Sequence, residues 1–242
     1  MTRLLVAPDP EHAAQAAAAL VNDLRDARLQ QADAVHVALA GGTTPRRAYE
    51  LLATLRADWT GIHLWFGDER MVAIDSDDAN ARMVHDALTC PARIPATQVH
   101  AMPTKLGPGA CAAYADELLR VLPTGPAGLP VLDIAVLGLG EDGHTASLFP
   151  RSDVLLGAGQ ICAIVENAPK PPPVRITLTM AVLNAARTRI ILATGLGKAG
   201  AAAAAMAEPD ARIPASMLTR DATTWILDAA AASALDDGAS HA

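Results

Sequence analysis

The sequence predicts an α/β fold built on a mostly parallel β-sheet that is covered on both sides. Apolar runs of strand length alternate along the chain with helical patterns. This alternation is typical of parallel strands joined by crossover helices. The strand-length runs are apolar on both faces, as expected for strands that are buried from both sides. With 242 residues, 51% of them hydrophobic, the chain is long enough to bury a sizeable core.

The apolar runs predict nine strands, at Arg3–Ala7, Ala34–Ala40, Ile62–Gly67, Val99–Met102, Leu132–Leu137, Ile161–Val165, Arg175–Thr179, Arg189–Thr194 and Thr223–Leu227. Six helices fit between them, at residues 11–29, 45–56, 78–89, 108–121, 180–186 and 197–207. The Pro-rich breaks at 123–130 and 169–173 are too short for domain linkers. We therefore interpret residues 1–228 as a single domain and residues 229–242 as a flexible tail.

Composition argues against several classes of protein. A formal net charge of −7 gives no overall basic field for nucleic acid. The three cysteines are odd in number and far apart in sequence, which argues against a disulfide framework or a zinc site and fits a reducing cytoplasm. No secretory signal is recognisable, and no apolar run approaches the roughly 20 residues that span a bilayer. We expect a cytoplasmic protein that binds neither nucleic acid nor membranes and holds no metal.

The most informative segment is Asp133–Pro150, with the sequence DIAVLGLGEDGHTASLFP. Its apolar start predicts a buried strand, which ends in a glycine-dense turn where the backbone can approach a ligand closely. The turn places Asp142 and His144 at the carboxyl end of the strand, where open α/β sheets have their ligand crevice. A histidine in this position is suited to proton transfer near neutral pH.

The same turn contains a literal GxGxxG, formed by Gly138, Gly140 and Gly143. After a strand, this motif suggests the dinucleotide site of a nicotinamide-dependent dehydrogenase. Such a site needs a long helix that opens at the third glycine, and Pro150 stops the run within seven residues. His144 would also crowd the glycine-lined approach. The dinucleotide interpretation is therefore disfavoured, and we expect no cofactor.

A second candidate site is the turn Gly41-Gly42-Thr43-Thr44-Pro45, between a predicted strand and a predicted helix. Pro45 suits the first turn of that helix, and Thr44 suits the cap before it. Free backbone N–H groups at such a helix start bind anions. An ordinary strand–helix turn would explain the same pattern equally well.

Charged residues at other strand ends complete the set of candidates. Asp68, Glu69 and Arg70 follow the strand that starts at Ile62, and the Arg70 guanidinium suits an oxyanion or a carboxylate. Arg175 opens a strand after the proline run, and Lys198 lies in a glycine-rich turn of the kind that holds phosphate. The charged segment from Asp68 to Arg70 is equally well explained as a solvated loop, and Arg175 and Lys198, each taken singly, are more often structural residues.

Together these strings resemble the 6-phosphogluconolactonase family, within the wider superfamily that includes glucosamine-6-phosphate deaminases. The matching pieces follow the family order from about residue 38 to residue 200: AGGTTPRRAYELL, HLWFGDERMV, NARMVHDAL, DIAVLGLGEDGHTASLFP, PPPVRITLTMAVLNAA and TGLGKA. The resemblance implies a Rossmann-like, mostly parallel sheet with helices on both faces and a smaller appended subregion. It also implies a catalytic domain that hydrolyses 6-phospho-D-glucono-1,5-lactone, in the second step of the oxidative pentose phosphate pathway.

The deaminase branch of the superfamily is the main alternative. Its members typically carry a DEY-like string where this chain has Asp68-Glu69-Arg70. They also carry a glutamate shortly after the histidine, in a DGHIAFNEP-like string. Here the segment Thr145–Pro150 contains no carboxylate, so a ring-opening aminosugar isomerase would lack its partner acid. The resemblance therefore favours the lactonase branch.

Within this resemblance, His144 is expected to act as the general base on a water and Arg70 to stabilise the developing oxyanion. Asp142 either orients His144 or shapes the loop. The expected substrate-binding and phosphate-binding set consists of Gly41, Gly42, Thr43, Thr44, Asp68, Arg175 and Lys198. The expected partner is a small sugar-phosphate lactone, and we expect a monomer or, alternatively, a dimer.

Overall fold

The structure is a computed structural model that describes residues 2–56, 58–156 and 160–235. Its strands are β1 (Arg3–Ala7), β2 (Val35–Leu39), β3 (Ile62–Phe66), β4 (Asp68–Arg70), β5 (Ile134–Gly138), β6 (Cys162–Val165), β7 (Arg175–Leu178), β8 (Thr188–Ala193) and β9 (Thr223–Asp228). Its α-helices are α1 (Pro10–Leu29), α2 (Thr43–Leu55), α3 (Asn80–Val84), α4 (Ala110–Val121), α5 (Met180–Ala185) and α6 (Ala199–Met206). A π-helical turn, His85–Thr89, extends α3.

The main sheet is parallel throughout and has six strands in the order β1-β9-β8-β5-β2-β3. All residues of β2 and β9 are buried, as are the first four residues of β5. Because neighbouring side chains of a strand point to opposite faces, this burial requires cover on both sides of the sheet. The predicted fold class is confirmed.

The strand order creates a switch point between β2 and β5. From β2 the chain moves outward to β3 at one edge, and from β5 it moves through β8 to β9 in the other direction. The connections that leave β2 and β5 therefore diverge at their carboxyl ends. In open α/β sheets, a ligand crevice forms at such a point.

A second, antiparallel sheet of β4, β7 and β6 forms the predicted smaller subregion. Gly67 joins it to the main sheet: its N–H donates to the Leu39 carbonyl at 3.0 Å, and its carbonyl accepts from the Leu178 N–H at 2.8 Å. The register of β4 and β7 places Arg70 directly opposite Arg175. The small sheet thus begins beside the carboxyl end of β2.

Two local predictions are wrong. The segment Val99–Met102 forms no strand and makes only one parallel bridge, from Val99 to Leu64 at the edge of the main sheet, before Pro103. Thr44 is not a helix cap, because α2 begins at Thr43 and is capped by Gly42. The Thr44 hydroxyl instead shares a 3.0 Å hydrogen bond with the Thr194 hydroxyl. The short strand β4 was not predicted, because its three residues are all charged.

The chain beyond β9 continues in turns through residue 235. Ala231 is buried, and its N–H donates to the Asp228 carboxylate at 2.8 Å. Residues 236–242 lie outside the described residues, so the flexible tail stays a prediction. Within the described ranges, no helix has the length and apolar character needed to cross a membrane.

Candidate active site

A cavity of about 270 Å³ lies at the carboxyl ends of β2 and β5. It brings together seven of the ten residues that the sequence singled out: Gly41, Gly42, Asp68, Arg70, His144, Arg175 and Lys198. The other three do not line it. Thr43 is exposed at the start of α2, Thr44 is bonded to Thr194, and Asp142 contacts His144 from outside the cavity wall.

His144 and Asp142 form a hydrogen-bonded pair on the loop after β5. The Asp142 carboxylate lies 2.5 Å from His144 Nδ1 and also accepts from the His144 backbone N–H at 3.2 Å. Burial raises the pKa of Asp142, but the hydrogen bonds and the charge of His144 outweigh it and bring the pKa to about 2. An ionised carboxylate can only accept, so Nδ1 carries a proton, and in the neutral form of the imidazole Nε2 is the proton acceptor.

Gly140 makes room for this pair. A Cβ at position 140 would lie 2.0 Å from His144 Nδ1 and 2.5 Å from the Asp142 carboxylate. Backbone bonds close the loop around it: the Gly140 N–H donates to the His144 carbonyl at 2.8 Å, and the Gly143 N–H donates to the Gly140 carbonyl at 3.0 Å. Gly143 has a φ of +82°, and a Cβ there would meet Ile213 at 2.8 Å. Gly140 is therefore needed for the placement of the two side chains, and Gly143 for the loop conformation.

No helix opens at Gly143. The chain instead makes a turn in which the Leu148 N–H donates to the Thr145 carbonyl at 3.0 Å, before Pro150. The Phe149 ring packs against the His144 imidazole with 4.6 Å between their centroids. The turn thus presents a histidine where a dinucleotide site would present a helix start. This geometry agrees with the prediction that the turn carries a histidine site and not a dinucleotide site.

Four cationic side chains line the cavity: Arg70, Lys170, Arg175 and Lys198. None of the four forms an ion pair with a carboxylate in the part of the chain that the structure describes. Like charges directly opposite each other on paired strands are destabilising, yet Arg70 faces Arg175 in this way. A concentration of unpaired positive charge in a chain of net charge −7 indicates an anionic ligand.

Backbone carbonyls hold Arg175 in place. Its Nε donates to the Pro172 carbonyl at 2.6 Å, and one Nη donates to the carbonyls of Lys170 and Pro171 at 3.0 and 3.1 Å. Burial, and then the neighbouring charge of Arg70, lower the pKa of Arg175. The guanidinium is thus fixed against the proline run and brings Lys170 to the rim of the cavity.

Only some of the hydrogen-bond donors of Arg70 have an acceptor in the protein. One Nη donates to the Asp78 carbonyl at 2.5 Å, whereas the buried Nε has no hydrogen-bond partner among the described residues. A buried donor without a partner is costly. Arg70 lines the cavity, and its second Nη, which forms no hydrogen bond with a described residue, suits a bound oxyanion.

Lys198 lies at the end of a short turn after β8. It lines the cavity and immediately precedes the helix α6. Burial lowers the pKa of Lys198, while the nearby carboxylate of Glu141 acts against this shift. Lys198 and Arg175 therefore come from two different sheets and converge on one space.

Asp68 is the buried acid of the cavity. Its carboxylate accepts from the Ser147 hydroxyl at 2.5 Å and from the Asn80 amide at 3.3 Å. The same amide donates to the Asp68 carbonyl at 2.9 Å. A Cβ on Gly41 would lie 1.9 Å from Asn80 Oδ1, so the glycine turn, Asn80 and Asp68 form one packed unit.

Glu69 anchors the start of α3 beneath this unit. Its carboxylate accepts the backbone N–H groups of Arg70, Asn80 and Ala81, each at 2.7 Å. Burial raises the pKa of Glu69. The residue thus satisfies free N–H groups at the first turn of the helix and fixes Asn80 toward Asp68.

Three cavity residues with polar or charged side chains were not identified as site residues from the sequence: Asn80, Ser147 and Lys170. Ser147 follows His144 by three positions in the same loop, so its place in that loop could have identified it as a site residue. Lys170 precedes a run of three prolines, which places it at a turn. Nothing in the local sequence of Asn80 indicates that its side chain meets a strand end.

The cavity contains no recognisable metal site. Nowhere in residues 2–56, 58–156 and 160–235 do three or more His, Cys, Asp or Glu side chains form a group that could hold a metal ion.

Comparison with known proteins gives the following matches. Residues 8–226 match the family model described as glucosamine-6-phosphate isomerases/6-phosphogluconolactonase. A 6-phosphogluconolactonase of Streptomyces coelicolor is 37% identical over 96% of this chain and 94% of its own length. The solved 6-phosphogluconolactonase of Trypanosoma brucei has a TM-score of 0.88 at 29% identity and covers 98% of this chain and 99% of its own.

A monomeric glucosamine-6-phosphate deaminase also has a similar structure, with a TM-score of 0.81. Its identity is 18%, over 96% of this chain and 99% of its own. At that identity the likeness concerns the fold alone. The fold therefore does not distinguish a lactonase from a deaminase, and the residues of the cavity must do so.

Proposed function

The chain belongs to the glucosamine-6-phosphate isomerase/6-phosphogluconolactonase family, and we propose that it hydrolyses 6-phospho-D-glucono-1,5-lactone to 6-phospho-D-gluconate. This reaction is the second step of the oxidative pentose phosphate pathway. One observation carries the proposal: the cavity combines a carboxylate-bound imidazole with four cations that lack a described carboxylate partner. A phosphorylated ester needs both a base and an anion site.

We infer that His144 is the general base. A lactone is an activated ester, so a water molecule activated by one base is sufficient to attack its carbonyl. Asp142 holds Nδ1 at 2.5 Å and thereby fixes the tautomer that leaves Nε2 free to accept the proton of that water. The resulting imidazolium is stabilised by the same carboxylate and can then protonate the departing ring oxygen. Asp142 thus positions His144 rather than touching the substrate.

Arg70 is the proposed oxyanion stabiliser. Attack on the carbonyl puts negative charge on its oxygen, and fixed donors aimed at this charge lower the barrier. Arg70 has a buried Nε without a partner and is held through one Nη on the Asp78 carbonyl. The Arg70 side chain is therefore held in place before the substrate binds, and it still has N–H groups that can donate to the oxyanion.

The phosphate is assigned to Arg175, Lys198 and the glycine turn before α2. Gly41 and Gly42 line the cavity just before the start of this helix, and their backbone N–H groups add a site for negative charge. Lys170, held beside Arg175 by the proline run, adds a fourth cation at the rim. Asp68 is the remaining acid of the cavity, and its carboxylate suits the hydroxyl groups of the sugar.

The cavity offers less support for a deaminase. The turn from Thr145 to Pro150 presents a hydroxyl at Ser147 and a phenyl ring at Phe149, and it contains no carboxylate. The second acid that would move protons in an aminosugar ring opening is therefore absent from this loop.

The test is a coupled assay with freshly made lactone. Glucose-6-phosphate dehydrogenase generates the lactone, and NADP⁺ reduction by 6-phosphogluconate dehydrogenase reports its hydrolysis above the spontaneous rate. The wild-type chain should accelerate hydrolysis, retain its activity in EDTA, and leave glucosamine-6-phosphate unchanged. Turnover of glucosamine-6-phosphate in place of the lactone would assign the chain to the other branch.

The base is tested by His144→Gln, with His12→Gln as the matched control on the exposed start of α1. Removal of a general base should lower kcat by about 10²–10⁴. The melting temperature should stay close to the wild-type value, because His144 is at the surface of a cavity. If H144Q and H12Q had equal kcat values, the base assignment would be wrong.

A further inference from the structure

Two thiols that the cavity does not use lie against each other between α4 and β6. The Sγ atoms of Cys111 and Cys162 are 3.1 Å apart, although the residues are 51 positions apart in the chain. Cys162 is buried in the small sheet, and Cys111 is half-buried on the helix that covers it. The third cysteine, Cys90, is exposed. The sequence separation of the three residues gave no indication of this contact.

We propose that Cys111 and Cys162 are a redox-responsive pair, which a peroxide converts into an intramolecular disulfide. A disulfide has a sulfur separation of about 2 Å, so the two atoms need to approach by only about 1 Å. Side-chain adjustment of this size requires no separation of α4 from the sheet. The two thiols are therefore already arranged for the bond in the reduced protein.

The chemistry assigns a different role to each sulfur. Cys111 is the accessible one, and the hydrogen bond with Cys162 lowers its pKa, which favours the reactive thiolate. Its sulfur attacks one peroxide oxygen, so that an S–O bond forms, the O–O bond breaks, and hydroxide leaves and takes up a proton. The Cys162 thiol then attacks the sulfenic sulfur, an S–S bond replaces the S–O bond, and a second water leaves. Overall, two thiols lose two electrons to one peroxide.

The position of the pair gives the bond a structural consequence. On the same face of α4, the Tyr114 hydroxyl donates to the Phe66 carbonyl and accepts from the Phe66 N–H, at 3.1 and 2.9 Å, just before the junction of the two sheets. Cys162 pairs with Leu178 in the sheet that also carries Arg175. The cross-link would join α4 to the sheet that carries two of the cavity's cations, without contacting the cavity itself.

The bond would also close the chain from residue 111 to residue 162, a loop that contains β5 and the His144 turn. Cross-linking of such a loop restricts the unfolded chain. The oxidised protein should therefore be more stable than the reduced protein and equally active, because the native arrangement is retained. The pair would protect the catalytic loop under oxidising conditions.

The experiment uses the full chain with Cys90→Ser, which removes the exposed thiol. Treatment with a small excess of hydrogen peroxide should lower the intact mass by two hydrogens. Non-reducing peptide mapping should then give one cross-linked species that joins the peptides of Cys111 and Cys162. The melting temperature should rise on the order of 5–10 °C and fall back after reduction with dithiothreitol. Lactonase activity should stay within about two-fold, and the mass and melting readouts hold whether or not the proposed function is right.

Two matched variants in the same background separate the steps. With Cys162→Ser, the sulfenic acid on Cys111 has no partner and should be trapped by dimedone, with no rise in melting temperature. With Cys111→Ser, the buried Cys162 should remain reduced. Cross-linked dimers, over-oxidation of Cys111 without the internal bond, or equal dimedone labelling of both variants would each overturn the proposal.

Discussion

Gly140→Ala tests the geometry of the catalytic loop without removing a single functional group. The new methyl group would lie 2.0 Å from His144 Nδ1, 2.2 Å from its Cε1 and 2.5 Å from the Asp142 carboxylate. These separations are far below van der Waals contact, so something must move. The atoms in the way belong to the ends of two side chains, which rotate more easily than the backbone. We therefore expect the imidazole to leave its place while the fold persists.

The expected loss follows from what the displaced ring does. If His144 no longer meets the water or Asp142, the variant loses general-base catalysis, which is worth about 10²–10⁴ in rate. This corresponds to about 3–5 kcal/mol of transition-state stabilisation. The substitution leaves Arg175 and Lys198, the proposed phosphate ligands, in place, so KM should change little. G140A should thus have the kinetics of His144→Gln, although it retains the histidine.

The assay is the coupled lactone assay, with two glycine controls. Gly200→Ala, in α6, has open space around its new Cβ and should have wild-type kinetics. Gly138→Ala also meets no atom within 4 Å, but Gly138 lines the cavity, so this variant should raise KM more than it lowers kcat. A kcat for G140A within two-fold of the G200A value would refute the argument. So would loss of cooperative unfolding, because the clash would then have been relieved by the backbone.

The remaining predictions concern binding, packing and pH. Arg175→Met should raise KM with a small effect on kcat, whereas Arg70→Met should chiefly lower kcat; initial rates across lactone concentrations distinguish the two, and equal KM effects would contradict the assignment. Gly41→Ala places a Cβ 1.9 Å from Asn80 Oδ1 and should raise KM at least ten-fold; a normal KM would mean that the turn can shift freely. Burial lowers the pKa of His36 to about 4. Because the unfolded chain binds this proton at higher pH than the folded protein does, the contribution to stability is complete above about pH 6.5 and is lost toward pH 4, a loss of about 3 kcal/mol. Urea unfolding at pH 7 and pH 4.5 should show a smaller loss for His36→Gln, and equal losses would contradict the burial argument.

The sequence predicts the main sheet well because its signal is local. Runs such as IAVLG in β5 are apolar on both faces, and only a doubly covered strand tolerates this pattern. The loop after β5 can also be predicted as a candidate site, because its glycines, its acid and its histidine lie close together in the sequence. The segment at Val99 is as apolar as a strand, and for this reason the sequence predicts one there. How far it pairs with the sheet depends on its contact with the sheet edge, where it forms a single bridge.

Other features depend on pairing between distant segments and leave no local signal. β4 consists of three charged residues, and only its register with β7 makes it a strand. Asn80 contacts Asp68 because Glu69 binds the first N–H groups of α3. The periodic pattern of apolar residues does not predict such an arrangement. The contact of Cys111 with Cys162 likewise depends on how α4 lies across β6. Composition alone cannot reveal such contacts.

The division of the cavity between two sheets explains why binding and chemistry should respond to different mutations. The acid–base pair is on the main sheet, after β5, whereas Arg70 and Arg175 face each other across the small sheet. In the free protein, this opposition of like charges is unfavourable, and negative charge on a bound substrate would relieve it. If Arg175 and Lys198 bind the phosphate as proposed, they hold a group that does not react and that they bind equally in the ground state and the transition state, so these contacts should lower KM without raising kcat. As the proposed general base, His144 would accept a proton only during the reaction, so its loss should appear in kcat. Arg70 is part of the small sheet, yet its role in the proposal is to donate to the oxyanion. It is therefore the one cavity cation whose loss should lower kcat more than it raises KM.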